Sequence, residues 1–374
     1  MGGVLVFLVS VVAHAACPTP AQLVTDIGAA AQADVISLSG INPVNCPEVS
    51  MTETWDTSYG KLVYSDSPES PTTTGKLYYD NGLSATSGTA YNRVFAYHVN
   101  SSGSTKRFTV VIKNTGVSSG TLTVRQSGTA GPTTSFLYGG KLVFQRWLNS
   151  TAGSGVAVAA GAWQRLDTTF DTTNVATGNL LHGMWDYSFT QPHEIAICML
   201  ATTDVPTTAC PAAAVLSRDT HQRGTFPYAN KIYDTSTGVT IDTGADIQQL
   251  PIAGGTANDS NAVGTDDTDG SSQTISGNYG ILYRIHLAIA SSDGRNLGYL
   301  INPRAGGWGG AVSALAGILA GGVFLIPAAS GSSSDSTKGS TEGKYAPGVG
   351  LTTWLQFMPT GGSSFPVRLV AVPY

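Results

Sequence analysis

Charge is scarce in this chain of 374 residues. Asp, Glu, Lys and Arg make up 11% of it, against roughly a quarter in ordinary soluble proteins. The net charge of -5 supplies no basic field for phosphate backbones, which argues against nucleic acid and anionic membrane surfaces as partners. Glutamate is confined to Glu48, Glu53, Glu69, Glu194 and Glu342, so no evident carboxylate pair for glycoside hydrolysis stands out. Cysteine occurs only at Cys17, Cys46, Cys198 and Cys210. Without a Cys-x-x-Cys, structural zinc and thioredoxin-like redox chemistry find no support. Also lacking are a His-x-His or His-Glu-x-x-His spacing, a Gly-x-Ser-x-Gly elbow and a Gly-Lys-Ser/Thr ending, so no metalloprotease, hydrolase or P-loop signature is present.

What the chain does contain is glycine, 45 residues of it, together with abundant Ser and Thr, the composition of a protein that solubilises itself with hydroxyls and turns. The first residues read as an export signal. Residues 4–12 form an apolar run, and Ala13-His14-Ala15 matches a small-x-small cleavage site. The positive residues that usually precede such a run are missing from Met1-Gly2-Gly3. His14 fits a lipoprotein box before Cys17 poorly. Cleavage after Ala15 leaves Ala16 as the mature end, which does not suit a copper site built on an N-terminal histidine. An even cysteine count suits an oxidising compartment. Of the three possible connectivities, Cys17 with Cys46 and Cys198 with Cys210 is the simplest.

An imperfect internal repeat organises the rest. Tyr91-Asn92-Arg93-Val94-Phe95-Ala96-Tyr97-His98, a polar turn and a strand pattern ending at Asn114 match Tyr279-Gly280-Ile281-Leu282-Tyr283-Arg284-Ile285-His286, a turn and a strand pattern ending at Asn302. The interval from His to Asn is the same in both. A looser pair sets Trp185 and Pro192 against Trp354 and Pro366. Alternating apolar residues predict strands over 61–64, 75–79, 93–99, 107–113, 120–125 and 141–147. A helix is expected within 21–38, with Thr19 as its cap and Pro20 in its first turn. The fold class is therefore all-β: two tandem antiparallel β-sandwich modules, jelly-roll or Ig-like, behind a short helical N-terminal extension. The divisions expected are a signal peptide over 1–15, the extension over 16–50, module 1 over 51–210 and module 2 over 211–374. The Pro-rich, uncharged stretch 206–214 reads as the linker. Residues 254–276 and 330–344 read as long polar surface loops. Residues 311–329 carry no charge, yet their glycines and Pro327 suit two strands joined at 320–322 better than a membrane span.

Several stretches, namely Tyr91 to His98, Gly224-Thr225-Phe226-Pro227, Asn278 to His286, Asn302 to Gly307 and Gly343-Lys344-Tyr345, resemble those of uncharacterised secreted bacterial proteins in which similar modules sometimes accompany cell-surface stalk domains. The resemblance spans roughly residues 60 to 374. It implies a bacterial surface setting and carries no activity and no catalytic residues.

Four groups of residues are candidates for a site. Asp219, His221 and Arg223 alternate, so in an extended segment they share a side, suiting acid-base work, a sugar hydroxyl or a solvated linker. Asp259, Asp266, Asp267 and Asp269 precede Gly270 in the acidic stretch and offer oxygen ligands of the kind calcium takes. The EF-hand register fails, because Thr265 and Ser276 occupy its first and last ligand positions. Asn302, Arg304 and Trp308 lie in a glycine-rich segment, where a sugar could stack on Trp308 and bond to Arg304 and Asn302, or where Trp308 simply caps a core. His98 and His286, equivalent in the repeat, read as structural histidines at strand ends. No cofactor beyond calcium is indicated. The expectation is a secreted, non-catalytic cell-surface or extracellular-matrix protein with a structural or adhesive role, binding polysaccharide or other copies of itself. The alternative is a polysaccharide-active hydrolase or lyase with its site between the modules.

Overall fold

The computed structural model describes residues 17–38, 40–49, 51–86, 88, 90–234, 241–256, 259–314, 322–327, 334–345 and 351–374. The export segment lies outside them, as do most of the 320–322 turn and the start of the 330–344 stretch. The chain is mostly β, with 46% strand, 13% helix and four helices among the described residues.

Four sheets carry the fold. Sheet I has eight strands in the order Ser271–Ile275, Ala262–Asp266, Arg223–Phe226, Leu62–Ser65, Asn92–Val99, Leu180–Phe189, Gly120–Thr133, Val156–Val158. Sheet II has four: Gly75–Leu83, His193–Ala201, Lys106–Asn114, Trp163–Arg165. Sheet III runs Thr52–Trp55, Asn230–Asp234, Leu282–Ala290, Leu351–Phe357, Gly310–Ala314, Gly322–Ile326, with Ile241–Asp242 also beside Leu282–Ala290. Sheet IV runs Val35–Ser37, Lys338–Tyr345, Leu297–Pro303, Val367–Pro373, Gln248–Ile252.

The sequence repeat is a repeat of strand pairing. Leu62–Ser65 runs parallel to Asn92–Val99, which is antiparallel to Leu180–Phe189, itself antiparallel to Gly120–Thr133. In sheet III, Asn230–Asp234, Leu282–Ala290, Leu351–Phe357 and Gly310–Ala314 follow with the same senses. Sheets II and IV correspond likewise, Gly75–Leu83 to Gln248–Ile252 and His193–Ala201 to Val367–Pro373. One strand on each side is exchanged. Thr52–Trp55 pairs with Asn230–Asp234 in sheet III, whereas Arg223–Phe226 pairs with Leu62–Ser65 in sheet I.

Alternation along these strands feeds separate apolar clusters. Val94, Ala96, Leu181 and Trp185 of sheet I meet Leu77, Val110, Ile195 and Ile197 of sheet II in one of them. The other side chains of the same sheet I strands, Phe95, Tyr97 and Met184, join Tyr283, Ile285, Tyr299 and Leu369 of sheets III and IV in a larger one. Strand Asn92–Val99 is thus buried along its whole length. Helix Ala21–Ala29 covers sheet IV through Leu23 and Ile27 against Leu300 and Val370. Helix Pro206–Ala212 covers sheet II, tied to it by Cys198–Cys210, and Cys17–Cys46 closes the N-terminal extension. Both neighbour disulfides therefore form.

Local expectations fail where spacing was ambiguous. Residues 141–147 are not a strand but part of helix Phe136–Asn149, which buries Gly140, Val143, Phe144 and Trp147 at intervals of three and four. The 206–212 stretch is helical although it contains Pro211: Pro206 occupies the first turn, where its missing N–H costs nothing, and Pro211 stands one residue from the end. Pro20 stands at the N-cap of the first helix, and no side chain caps it. The acidic stretch is a hairpin that extends sheet I through Thr225 and Thr265. Residues 338–345 form a strand, and Gly310–Ala314 pairs antiparallel with Gly322–Ile326 as two strands should. No helix among the described residues is long and apolar enough to cross a membrane.

Candidate functional site

The repeated polar residues serve the backbone. Asn114 donates from Nδ2 to the carbonyls of Ser118 and Val158, each at 2.8 Å, and Asn302 donates likewise to Ser336 and Lys338. Each amide pins a loop to a strand end. His98 is fully buried, with Nε2 2.9 Å from Ser65 Oγ and Nδ1 2.9 Å from the Pro68 carbonyl. Burial pushes its pKa down to about 4, as it does for His182 and His193. His286 differs from its repeat partner: it stacks on Trp354 at 4.4 Å and pairs with Asp234 at 2.9 Å.

Asp219 and His221 come together, but Arg223 does not join them. His221 lies between two carboxylates, 2.9 Å from Glu69 and 3.2 Å from Asp219. Asp219 also accepts bonds from the His221 amide, the Glu69 amide and Ser67 Oγ, which hold its carboxyl below the usual range despite partial burial. Arg223 is buried and committed to Asp266 at 2.9 Å, to the carbonyls of Leu77 and Leu216, and to Thr268. The expected shared face is therefore split between a surface imidazole and a buried fork.

The four aspartates do not converge. Asp259 is buried against Lys231 and Tyr283, Asp266 holds Arg223, Asp267 meets Tyr78, and Asp269 accepts from Ser271 within its own turn. Among the described residues no group of three or more His, Cys, Asp or Glu is arranged to hold a metal ion. Asn302, Arg304 and Trp308 also separate. Trp308 is fully buried beside Phe357, so its ring offers no face to a ligand, and Arg304 reaches Asn42 at 3.4 Å.

Residues at the ends of the exchanged strands and on the acidic hairpin build a groove instead. Trp55, Pro227, Tyr228, Ser260, Asn261, Ala262 and Val263 line a cleft of about 310 Å³. Trp55 stacks beside Tyr228 at 5.8 Å, and beneath it the fully buried Lys231 sits 4.4 Å from the Trp55 ring, between Glu53 at 2.8 Å and Asp259 at 2.9 Å. Pro227 and Val263 also border a second hollow of about 470 Å³ lined by Lys61, Thr225, Gly264, Thr265, Asp267 and Ser272. The two therefore adjoin as an apolar end and a polar end. Gly264 permits this closeness, since a Cβ there would lie 2.4 Å from the Thr225 carbonyl.

At the polar end four oxygens form a chain. Asp80 Oδ2 lies 2.6 Å from Thr225 Oγ1, Thr225 Oγ1 lies 2.8 Å from Tyr78 Oη, and Tyr78 Oη lies 2.9 Å from Asp267 Oδ2. Asp80 is buried and also accepts from the Gly82 amide at 2.7 Å. Burial, with Asp80 adding to it, raises the Asp267 carboxyl above its ordinary range. A third hollow of about 480 Å³ beside Trp185 holds no free charge, because Asp167 caps helix Thr168–Thr172 and accepts from Trp185, while Arg165 pairs with Asp171.

No protein-family model matches the chain, and no curated protein is detectably similar to it. Of the groove residues, only Asp267 stood among the candidate site residues of the sequence. Trp55 and Lys61, Tyr78 and Asp80, and Tyr228 come from three separate stretches of the chain and form no motif. The one available signal was Gly224-Thr225-Phe226-Pro227, which marks where the exchanged strand enters sheet I.

Proposed function

We propose that this is a secreted, non-catalytic protein of the cell surface or extracellular matrix that binds polysaccharide in the groove between the exchanged strands. In this reading the duplicated strand order represents two related β-sandwich modules, and the groove belongs to neither alone. The observation that carries the proposal is the juxtaposition of an apolar end lined by Trp55 and Tyr228 with a polar end of hydroxyls, one cation and one carboxyl. Sugars present apolar C–H faces and hydroxyl edges together, so they suit such a surface. His98, Lys231, Asp259 and Asp266 are engaged with structural partners, which favours binding over turnover.

The test is binding to a panel of immobilised polysaccharides, with Tyr228→Ala and Val263→Asp as groove variants. Val263 is 56% exposed, so its replacement leaves the core intact. Retention of at least one polymer, weakened about tenfold in each variant, is the expected outcome. A blank panel, or variants that bind like the parent protein, would remove the reading.

A further inference from the structure

Under the apolar end of the groove a lysine and two carboxylates meet in the core. Lys231 stands on strand Asn230–Asp234, Glu53 on the exchanged strand Thr52–Trp55 paired with it, and Asp259 just ahead of the acidic hairpin. The Lys231 side chain is fully buried and that of Asp259 is 1% exposed, whereas Glu53 keeps an edge 12% exposed. Lys231 Nζ lies 2.8 Å from Glu53 Oε1 and 2.9 Å from Asp259 Oδ1, and it also donates to the Ser260 carbonyl. The rings of Trp55 and Tyr283 stand 4.4 and 5.7 Å from it and wall it off from water.

A buried ion pair forfeits hydration that its attraction barely repays, and a lysine amine fixed against a carboxyl is also a nucleophile held at its electrophile. Cγ of Asp259 lies one bond beyond the oxygen that Nζ touches. Both oxygens of this carboxyl have donors, Tyr283 Oη to Oδ1 at 3.0 Å and the Gly254 amide to Oδ2 at 3.1 Å, placed to stabilise the charge that develops on attack. Glu53 is held differently. It accepts from the Ser260 amide and hydroxyl at 3.0 and 2.8 Å, and Ser260 is exposed where it borders the groove. Joining Lys231 to Asp259 leaves a charge only on the carboxylate with an exposed edge, whereas joining it to Glu53 would strand the deeply buried one.

We propose that Lys231 and Asp259 condense into an intramolecular isopeptide bond, with Glu53 carrying the proton. One ammonium proton passes to the Asp259 carboxyl, which leaves both groups neutral. Nζ then attacks Cγ, Glu53 takes a proton from the attacking nitrogen and returns it to the departing hydroxyl, and the Cγ–OH bond breaks to release one water past Ser260. Nothing is oxidised or reduced, and no co-reactant enters. The bond joins positions 28 residues apart, so the hairpin that lines the groove is anchored covalently to sheet III. It forms once per molecule, which is not turnover, and polysaccharide binding neither requires it nor is required by it.

The full-length protein would be weighed intact by mass spectrometry beside Asp259→Ala, Lys231→Arg and Glu53→Gln, with folding of each checked by circular dichroism. Once the change in residue mass is allowed for, the parent should be lighter than every variant by one water. Its protease digest should contain a branched peptide joining Lys231 to Asp259. Glu53→Gln keeps an acceptor for Ser260 but cannot carry the proton, so bond formation should slow at least about a hundredfold and leave that protein largely unlinked. A parent protein at its full mass overturns the inference whether or not the variants fold. So does a water loss mapped to a succinimide at Asp269-Gly270 or Asp293-Gly294, a branch at Glu53, or complete linkage in folded Glu53→Gln.

Discussion

Arg93 shows how one side chain joins the two halves of the molecule. Its guanidinium grips Asp186 through two bonds of 2.7 and 2.9 Å, both groups fully buried, and reaches the carbonyls of Ala229 and Gly280 at 2.8 and 3.1 Å. The Trp147 ring closes over it at 4.7 Å. Removing one partner of such a pair strands the other charge in the core, so Arg93→Ala should cost about 3–5 kcal/mol in urea unfolding. A loss under 1 kcal/mol would mean that water reaches Asp186. The buried histidines set a second expectation. His98, His182 and His193 fall from an ordinary pKa of 6.5 to about 4 on folding, so below 6.5 the unfolded chain binds protons that the native state refuses. Stability is then full above 6.5 and declines as pH falls toward 4, by about 1.4 kcal/mol per pH unit for each histidine. Urea midpoints measured over this window should slope downward, and a flat profile would contradict the burial.

At the scale of elements, the helix Phe136–Asn149 was the least legible from sequence. Two adjacent glycines and a run of apolar residues hid its period, and its role appears only where strand Gly120–Thr133 approaches it. A Cβ on Gly128 would lie 2.0 Å from the Val143 carbonyl, too close for any side chain. Gly128→Ala should therefore lower stability by about 1–3 kcal/mol through overpacking, read as a reduced thermal midpoint. The covering helix Pro206–Ala212 depends on a different restraint. Cys198–Cys210 spans 12 residues, and replacing both cysteines with serine should cost about 2–3 kcal/mol. The loss would be checked by calorimetry with and without reductant, which should leave the serine variant unaffected at this site.

For the whole molecule, exchange of Thr52–Trp55 and Arg223–Phe226 between sheets has the largest consequence. A fragment of residues 17–210 would lack one of the two partners of Leu62–Ser65, Arg223–Phe226, and leave an unpaired edge. It would also expose Phe95 and Tyr97, which pack toward sheets III and IV. Fragments 17–210 and 211–374 expressed separately should fail to give dispersed amide spectra, whereas mixing them should restore the fold. Independent folding of either fragment would show that the exchange contributes little.

The sequence by itself determined the β-rich character, the repeat and the two strands of the 311–326 stretch, and it offered neighbour disulfides as the simplest of three pairings, because strand alternation, turn residues and short loop closures are local properties. It also marked His98 as a structural histidine. Only the tertiary structure decided which strands exchange, that Trp308 is buried, that Arg223 leaves His221 for Asp266, and that Asp80, Tyr78, Thr225 and Asp267 line up as a hydrogen-bonded chain. Those outcomes depend on which distant segments meet, and a residue's partners across a sheet leave no trace in its neighbours along the chain.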